Sequence, residues 1–447
     1  MRKGNLLLPV PHHVTSQTMT ILNNMRKDEV YTAAVSDPLI LQFAHKLTAK
    51  HYHDPDLHDH VRNKVREVGR LLVQVRKDHG MSSLSDALNP AHFSQLATSV
   101  RKVAGFNPET NSFASPSLAL KLGHSLKKCA MSLLGIALRS GTKDDEDKAN
   151  GFIRLCDIEW ADEVSRRALC TLRDHKLNKV SILPLAEDIS KMHDFLTRSA
   201  AEALQVFEND TSDADMKRKA WSNLAQLMLA QLILFNRRRV GEVSKMTMEN
   251  WNAVNCPSND DVAQHLSSVE RQLCRSLSRI QVIGKRGNHV PVLLTAASKS
   301  ALTVLVSKRT DGDVPASNPY VFAQPRTNGH IRGADVMRKF STECGAKLPH
   351  ALRGTQLRKH VATISQLLNL KENELDILAQ FLGHDVRVHR EFYRLPSDIL
   401  QTAKVSKILL AMENGQQGKL TGQSLDEIEV NFHEGNILTY YFARKSY

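Results

Sequence analysis

The chain has 447 residues, of which 41% are hydrophobic and only 5% aromatic. That length allows two or three domains with separate cores and excludes a disordered chain, while the shortage of aromatics favours helical packing on Leu, Ala and Val over a β-sandwich. Lys and Arg outnumber Asp and Glu by 60 to 47, a net charge of +13, which favours a polyanionic partner, nucleic acid before membrane.

The six cysteines are scattered and form no C-x-x-C pair. This argues against a zinc ribbon or a disulfide framework and for a reducing compartment. No apolar run approaches the ~20 residues of a membrane span, and "MRKGNLLLPVPHH" is too short in its apolar part for a signal peptide. The expectation is a soluble, intracellular protein.

In chain order, residues 1–25 read as an irregular segment containing Pro9 and Pro11. Residues 26–180 read as a bundle of four to six helices. From Leu57 to Val75, Leu57, Val61, Val65, Val68, Leu72 and Val75 recur at spacings of three and four, the signature of an amphipathic helix. "SPSLALKLGHSLKKCAMSLLGIAL" begins with Ser115 as N-cap and Pro116 at the first helical position. Lys121, His124 and Lys128 share a face of it, and Lys121, Lys127 and Lys128 are candidate contacts to a phosphate backbone, with a solvated face as the alternative. "KDDEDKANG" at 143–151 reads as a charged loop, followed by a helix around Trp160 to Leu172.

Residues 181–412 read as a second domain. Pro184 precedes an acidic first turn at Glu187 and Asp188, a helix start. A very apolar helix from Trp221 to Phe235 runs into "NRRRVGEVSKM". The period then changes: "SRIQVIGKRGNHVPVLLT" alternates, turns at Gly284 to Asn288 and alternates again, a β-hairpin. Helices are expected again after about residue 332, to Met412. The tail 413–447 is Gly/Gln-rich, then carries a strand-like "EIEVNF". The fold class expected is mainly α with a small β-hairpin. There is no internal repeat and no Gly-rich phosphate loop of the dinucleotide or Walker type.

Four segments of the second domain place cationic or proton-transferring groups at structural breaks: Arg239 in "RRRVGEV", Lys285 at the hairpin turn, Arg358 in "ALRGTQLRKHVATISQLL", and His384 with Tyr393 in "LAQFLGHDVRVHREFYRLP". Such a set suits phosphoryl transfer to a tyrosine. Paired guanidiniums fit the anionic oxygens of a phosphodiester as charge builds on them. A lysine can protonate the departing oxygen, and a phenol with a free pKa near ~10 requires cationic help to attack. No metal or nucleotide cofactor enters this chemistry.

Each residue also has a plainer reading. Arg239 could cap a helix and pair with Glu242, Lys285 could be an exposed turn lysine, and His384 could be a helix-cap donor. Arg237 and Arg238 read as solvated or phosphate-touching. Tyr440 and Tyr441 are rival nucleophiles without a His or Arg box before them. The histidines His45, His51, His53, His58 and His60 lack the i, i+4 pairing and nearby Cys of a zinc site, so no metal is expected.

Taken together and in order, these residues resemble the catalytic domain of tyrosine recombinases, the group of phage integrases, chromosome-dimer resolvases and yeast flippases. "RVGEV" matches the family's R-x-x-E-L and places the first arginine at Arg239; "VIGKRGNHVPV" gives Lys285; "TQLRK" stands in the H-x-L-R-H box and gives Arg358; "LGH" gives His384, with Tyr393 nine residues on. The style of "LRKH" and "LGHD" is similar to recombinases of eukaryotic mobile elements of the Crypton and DIRS groups, or to host genes derived from them. The departure is Thr355, which occupies the family's histidine position three before Arg358 and cannot exchange protons near neutral pH.

The resemblance implies a helical core-binding domain over 26–180 and a catalytic domain over 181–412, closing as a clamp on double-stranded DNA. It implies dimers and tetramers on DNA, no membrane and no small-molecule substrate, and a nuclear location. It also implies a C-terminal segment that docks on a neighbour, for which Ile399, Thr402, Ala403, Ser406 and Leu409 or Leu410 offer a narrow stripe, with packing on its own domain as the alternative. Cutting and rejoining would pass through a 3′-phosphotyrosine. The alternative is a domesticated DNA-binding protein with weak or lost turnover, which Thr355 favours. A type IB topoisomerase shares the chemistry but has a long linker before its tyrosine that is absent here.

Overall fold

The computed structural model describes residues 14–177, 182–208, 213–254, 266–284, 287–365 and 372–382. Lys285, His384, Tyr393 and the tail 413–447 therefore lie outside the described residues. The chain divides into two compact units at residue 180, each with its own hydrophobic core. Helices dominate both, and the only strands among the described residues form two small antiparallel pairs. No described helix is long and apolar enough to cross a membrane.

The first unit holds α1 (Ser16–Asn23), α2 (Glu29–Ser36), α3 (Pro38–His51), α4 (His58–His79), α5 (Leu84–Ala87), α6 (Phe93–Val103), α7 (Pro116–Ser140), α8 (Lys143–Ile158) and α9 (Arg166–Leu177). A two-residue ladder pairs β1 (Phe106–Asn107) with β2 (Ser112–Phe113). The valine stripe of α4 is buried as its spacing predicts, at Val61, Val65, Val68, Leu72 and Val75. Each such side chain contributes about 1.5–3 kcal/mol. Gly80, at φ +69, ends the helix in the left-handed region that favours glycine. On α7, a Cβ at Gly123 would collide with the indole of Trp160, so this position has to be a glycine for the tryptophan to pack there.

The structure corrects three sequence expectations in this unit. Residues 16–23 are helical, not irregular, because Thr15 accepts from the Thr18 N–H and Ile21 and Leu22 enter the core. Residues 143–151 open α8 and are not a loop. Asp144, Asp145 and Glu146 occupy its first turn, where negative charge meets the positive end of the helix dipole. Lys143 pairs with Glu146 and Asp147, and Lys148 with Asp144, along the helix. The unit accordingly has nine α-helices among the described residues, not four to six.

The second unit holds α10 (Ala186–Glu208), α11 (Ala214–Asn236), α12 (Val240–Ser244), α13 (Met248–Asn252), α14 (Ser268–Ser276), the hairpin β3 (Ser278–Ile283) and β4 (His289–Leu294), α15 (Ala296–Ser307), α16 (Gly333–Glu343), α17 (Gly354–Ile364) and α18 (Glu372–Phe381). Helices resume at Ala296, earlier than expected, with Thr295 capping the Ser298 N–H. From Trp221 onward α11 is mostly buried and is the axis of the core: Trp221, Leu224, Leu227, Met228, Leu232 and Ile233 are all buried. α10, α15 and α16 pack around it. The expected hairpin is present, paired from Ser278 opposite Leu294 to Ile283 opposite His289.

Candidate functional site

The site starts where α11 stops. Arg237 takes φ +53 and its N–H returns to the Ile233 carbonyl at 3.0 Å, a left-handed helix end made without glycine. Asn236, buried, clips this end to the hairpin. Its amide donates to the Leu293 carbonyl at 2.9 Å and accepts from the Leu293 N–H at 2.7 Å. Two residues on, the Arg238 Nε donates to the Pro291 carbonyl at 2.9 Å. Residues 236–238 thus bond along the edge of β4 that β3 leaves.

Arg239 follows as the N-cap position of α12. Its Nη1 donates to Glu242 Oε1 at 2.8 Å, and the glutamate is nearly buried, with 6% side-chain exposure. The pairing allowed for in the sequence is therefore present. It also holds one edge of the guanidinium in a fixed direction. Gly284, the residue before Lys285, sits against the same carboxylate. A Cβ there would come within 3.1 Å of Glu242 Oε1, a tight contact that would press on the carboxylate, so hairpin tip and ion pair lie close together. The tip is closed by the Gly284 N–H donating to the Asn288 carbonyl at 2.7 Å, and Gly287 stands at φ +79.

Arg358 lies one turn into α17 and is buried to 7% exposure, while Thr355 on the preceding turn is exposed. The two are three apart and share a helix face. The start of α17 is pressed on the α12 region: a Cβ at Gly354 would collide with Val240 Cγ2. Burial pushes the Arg238 guanidinium down to about 10; Glu242 opposes the shift, and Arg239 and Arg358 add to it. The buried Arg238 thus lies within electrostatic reach of Glu242, Arg239 and Arg358. Burial likewise brings Arg237 down to about 10, and burial followed by the charge of Arg237 lowers His360.

The described residues therefore bring together Arg239, Arg358, Thr355 on the face of Arg358, and the residue preceding Lys285. They also include the end of α18, because Arg238 Nη1 donates to the Phe381 carbonyl. His384 comes three residues after Phe381 in the chain, and Tyr393 twelve. Arg238 is a correction. Expected to be solvated or to touch phosphate, it has 0% exposure and spends its donors on two backbone carbonyls. Arg237 is partly buried, and its Nη1 has no partner among the described residues. The run of three arginines gave no sign of which one turns inward.

In the first unit, Lys121 is 3.6 Å from Glu67, which Lys64 also holds at 3.0 Å. The charge of Lys128 reaches both His51 and His60. Both imidazoles are lowered first by burial, then by neighbouring cations, Lys50 for His51 and Lys64 for His60. These two rings meet edge to face at 5.8 Å. Lys127 is taken up by Asp157 of α8. Lys121, His124 and Lys128 are all exposed on α7, so a basic strip runs over α7 and the start of α4. Among the described residues no group of three or more His, Cys, Asp or Glu could hold a metal ion.

No protein-family model and no curated protein matches the chain. Among solved structures, it is similar to the XerH site-specific recombinase bound to palindromic difH substrate in a post-cleavage complex, with 12% identity and a TM-score of 0.43 over 89% of this chain and 93% of that one. It is also similar to the pre-cleavage complex of XerH with difH, with 16% identity and a TM-score of 0.34 over 85% of this chain and 97% of that one.

Proposed function

We propose that the chain is a site-specific DNA recombinase of the tyrosine type, which cuts and rejoins duplex DNA without metal or nucleotide. Tyr393, its phenolic proton passing to solvent, attacks the scissile phosphorus, forming the Tyr Oη–P bond as the P–O5′ bond breaks, and leaves a 3′-phosphotyrosine and a 5′-hydroxyl. Arg239 and Arg358 stabilise the charge on the non-bridging oxygens. Lys285 gives its proton to the departing 5′-oxygen, and His384 hydrogen-bonds the phosphate. Rejoining is the reverse step, and the phosphotyrosine bond conserves the energy of the cut strand. The substrate would be the ends or target of a mobile element of Crypton or DIRS type, in the nucleus, with dimers and tetramers forming on DNA.

The observation that carries this reading is the junction around Glu242 and Arg238. There, three segments spread over 119 residues of sequence supply Arg239, the residue before Lys285, and Arg358 to one region. The basic strip of the first unit supplies a surface for the phosphate backbone. The test is incubation with a library of nicked duplexes and denaturing detection of covalent protein–DNA adducts. Wild type should form them; Tyr393→Phe should bind duplex DNA equally and form none, and an undiminished adduct in that variant removes the assignment. The second reading, a DNA-binding protein without turnover, is favoured by Thr355 and predicts binding without adducts on every duplex tried.

A further inference from the structure

We infer that Arg238 is a positioning residue: it ties the C-terminal end of α18, from which the chain runs on to His384, to the segment that carries Arg239. The inference rests on the recombinase reading for what His384 does, and on Arg238's own contacts for the tie. Arg238 reaches from the β4 edge, through the Pro291 carbonyl at 2.9 Å, to the Phe381 carbonyl at the last turn of α18. Its guanidinium also lies over the Phe381 ring, 5.2 Å from the centroid. The last carbonyls of a helix have no partner within the helix, and a cation there meets the negative end of the dipole. The side chain is wholly buried, its Nη2 has no partner among the described residues, and burial brings its pKa down to about 10.

A buried cation of this kind costs stability that an apolar residue of similar size would not. What the arginine supplies in return is direction, since its planar fork fixes two backbone oxygens from different elements at once. Leu375, Ala379 and Leu382 seat α18 by apolar burial, which is tolerant of sliding. The Arg238 fork sets where the helix ends. The chain runs on from Phe381 to His384 in three residues, so where α18 ends sets where that connection begins.

The experiment uses the full chain as wild type, Arg238→Lys and Arg238→Met. Hydrogen exchange should quicken about tenfold in peptides from α18 and the residues after it, while the α11 peptides of 214–236 stay protected. Unchanged α18 protection in both variants overturns the inference, as does equal loss in α11, which would mean a general packing role. On a nicked duplex bound by wild type, adduct formation should fall about 10²-fold in Arg238→Met at unchanged duplex affinity, as expected for a misplaced group. Arg238→Lys, which can reach only one carbonyl, should recover part of the rate. Adding His384→Ala to Arg238→Met should lower the rate no further. If the two losses multiply instead, Arg238 does not act through His384 and the inference fails. Absence of adducts in wild type is the failure of the recombinase reading and is distinguishable, because the exchange measurement needs no DNA.

Discussion

At the residue scale the difference between Thr355 and Arg358 decides how fast the proposed reaction runs. Both lie on one face of α17, one exposed and one buried. A proton-transferring group contributes ~10²–10⁴-fold, and a donor to a developing oxyanion ~10²–10³-fold. With two arginines in place, loss of the imidazole slows chemistry without extinguishing it. Thr355→His should therefore accelerate single-turnover cleavage of a bound nicked duplex, and Arg358→Ala should nearly eliminate it. Two proteins equally inactive on every bound duplex would point to the non-catalytic reading. Arg239 and its carboxylate partner were legible from the i, i+3 spacing to Glu242. The inward turn of Arg238 was not, because three identical side chains in a row differ only through a helix end at positive φ on Arg237, a conformation that sequence does not mark when glycine is absent.

At the element scale, helices and the hairpin were legible wherever periodicity was strong, as in α4, α11 and the β3–β4 alternation. The opening of α8 was misread because acidic residues and a lysine look like a solvated loop, yet the same charges stabilise a helix start. On α17, His360 has its proton affinity lowered by burial and then by Arg237. A histidine held neutral in the fold contributes stability that is full above its ordinary value of 6.5 and is lost as pH falls through the lower folded value. Thermal unfolding should therefore move to lower temperature on acidification below pH 6.5, and His360→Gln should flatten that slope; an unchanged slope removes His360 as its source. On the first unit the same sign acts on ligand binding. Protonation of His51 and His60 adds charge beside Lys64 and Lys128, with Glu67 and Asp54 opposing. Duplex affinity should rise as pH falls, and a His51→Gln, His60→Gln double variant should lose that rise while binding normally at pH 8.

At the scale of the whole molecule, an excess of +13 charges and a basic strip on the first unit fit a polyanion held by many weak contacts. Log affinity for duplex DNA should fall linearly with log salt concentration, each neutralised phosphate adding about 0.9 to the slope. Lys121→Ala with Lys128→Ala should lower the slope by about two, and an unaltered slope would move the contact surface elsewhere. The chain divides into two compact units at residue 180, and each part carries enough buried Leu, Val and Ala for a core of its own. The measurement that bears most directly on the central claim is peptide mapping of the trapped protein–DNA adduct after nuclease digestion. The account predicts a nucleotide linked through a 3′-phosphate to Tyr393 and to no other tyrosine; a nucleotide on Tyr440 or Tyr441, or none on any tyrosine of a protein that binds the duplex, would contradict it.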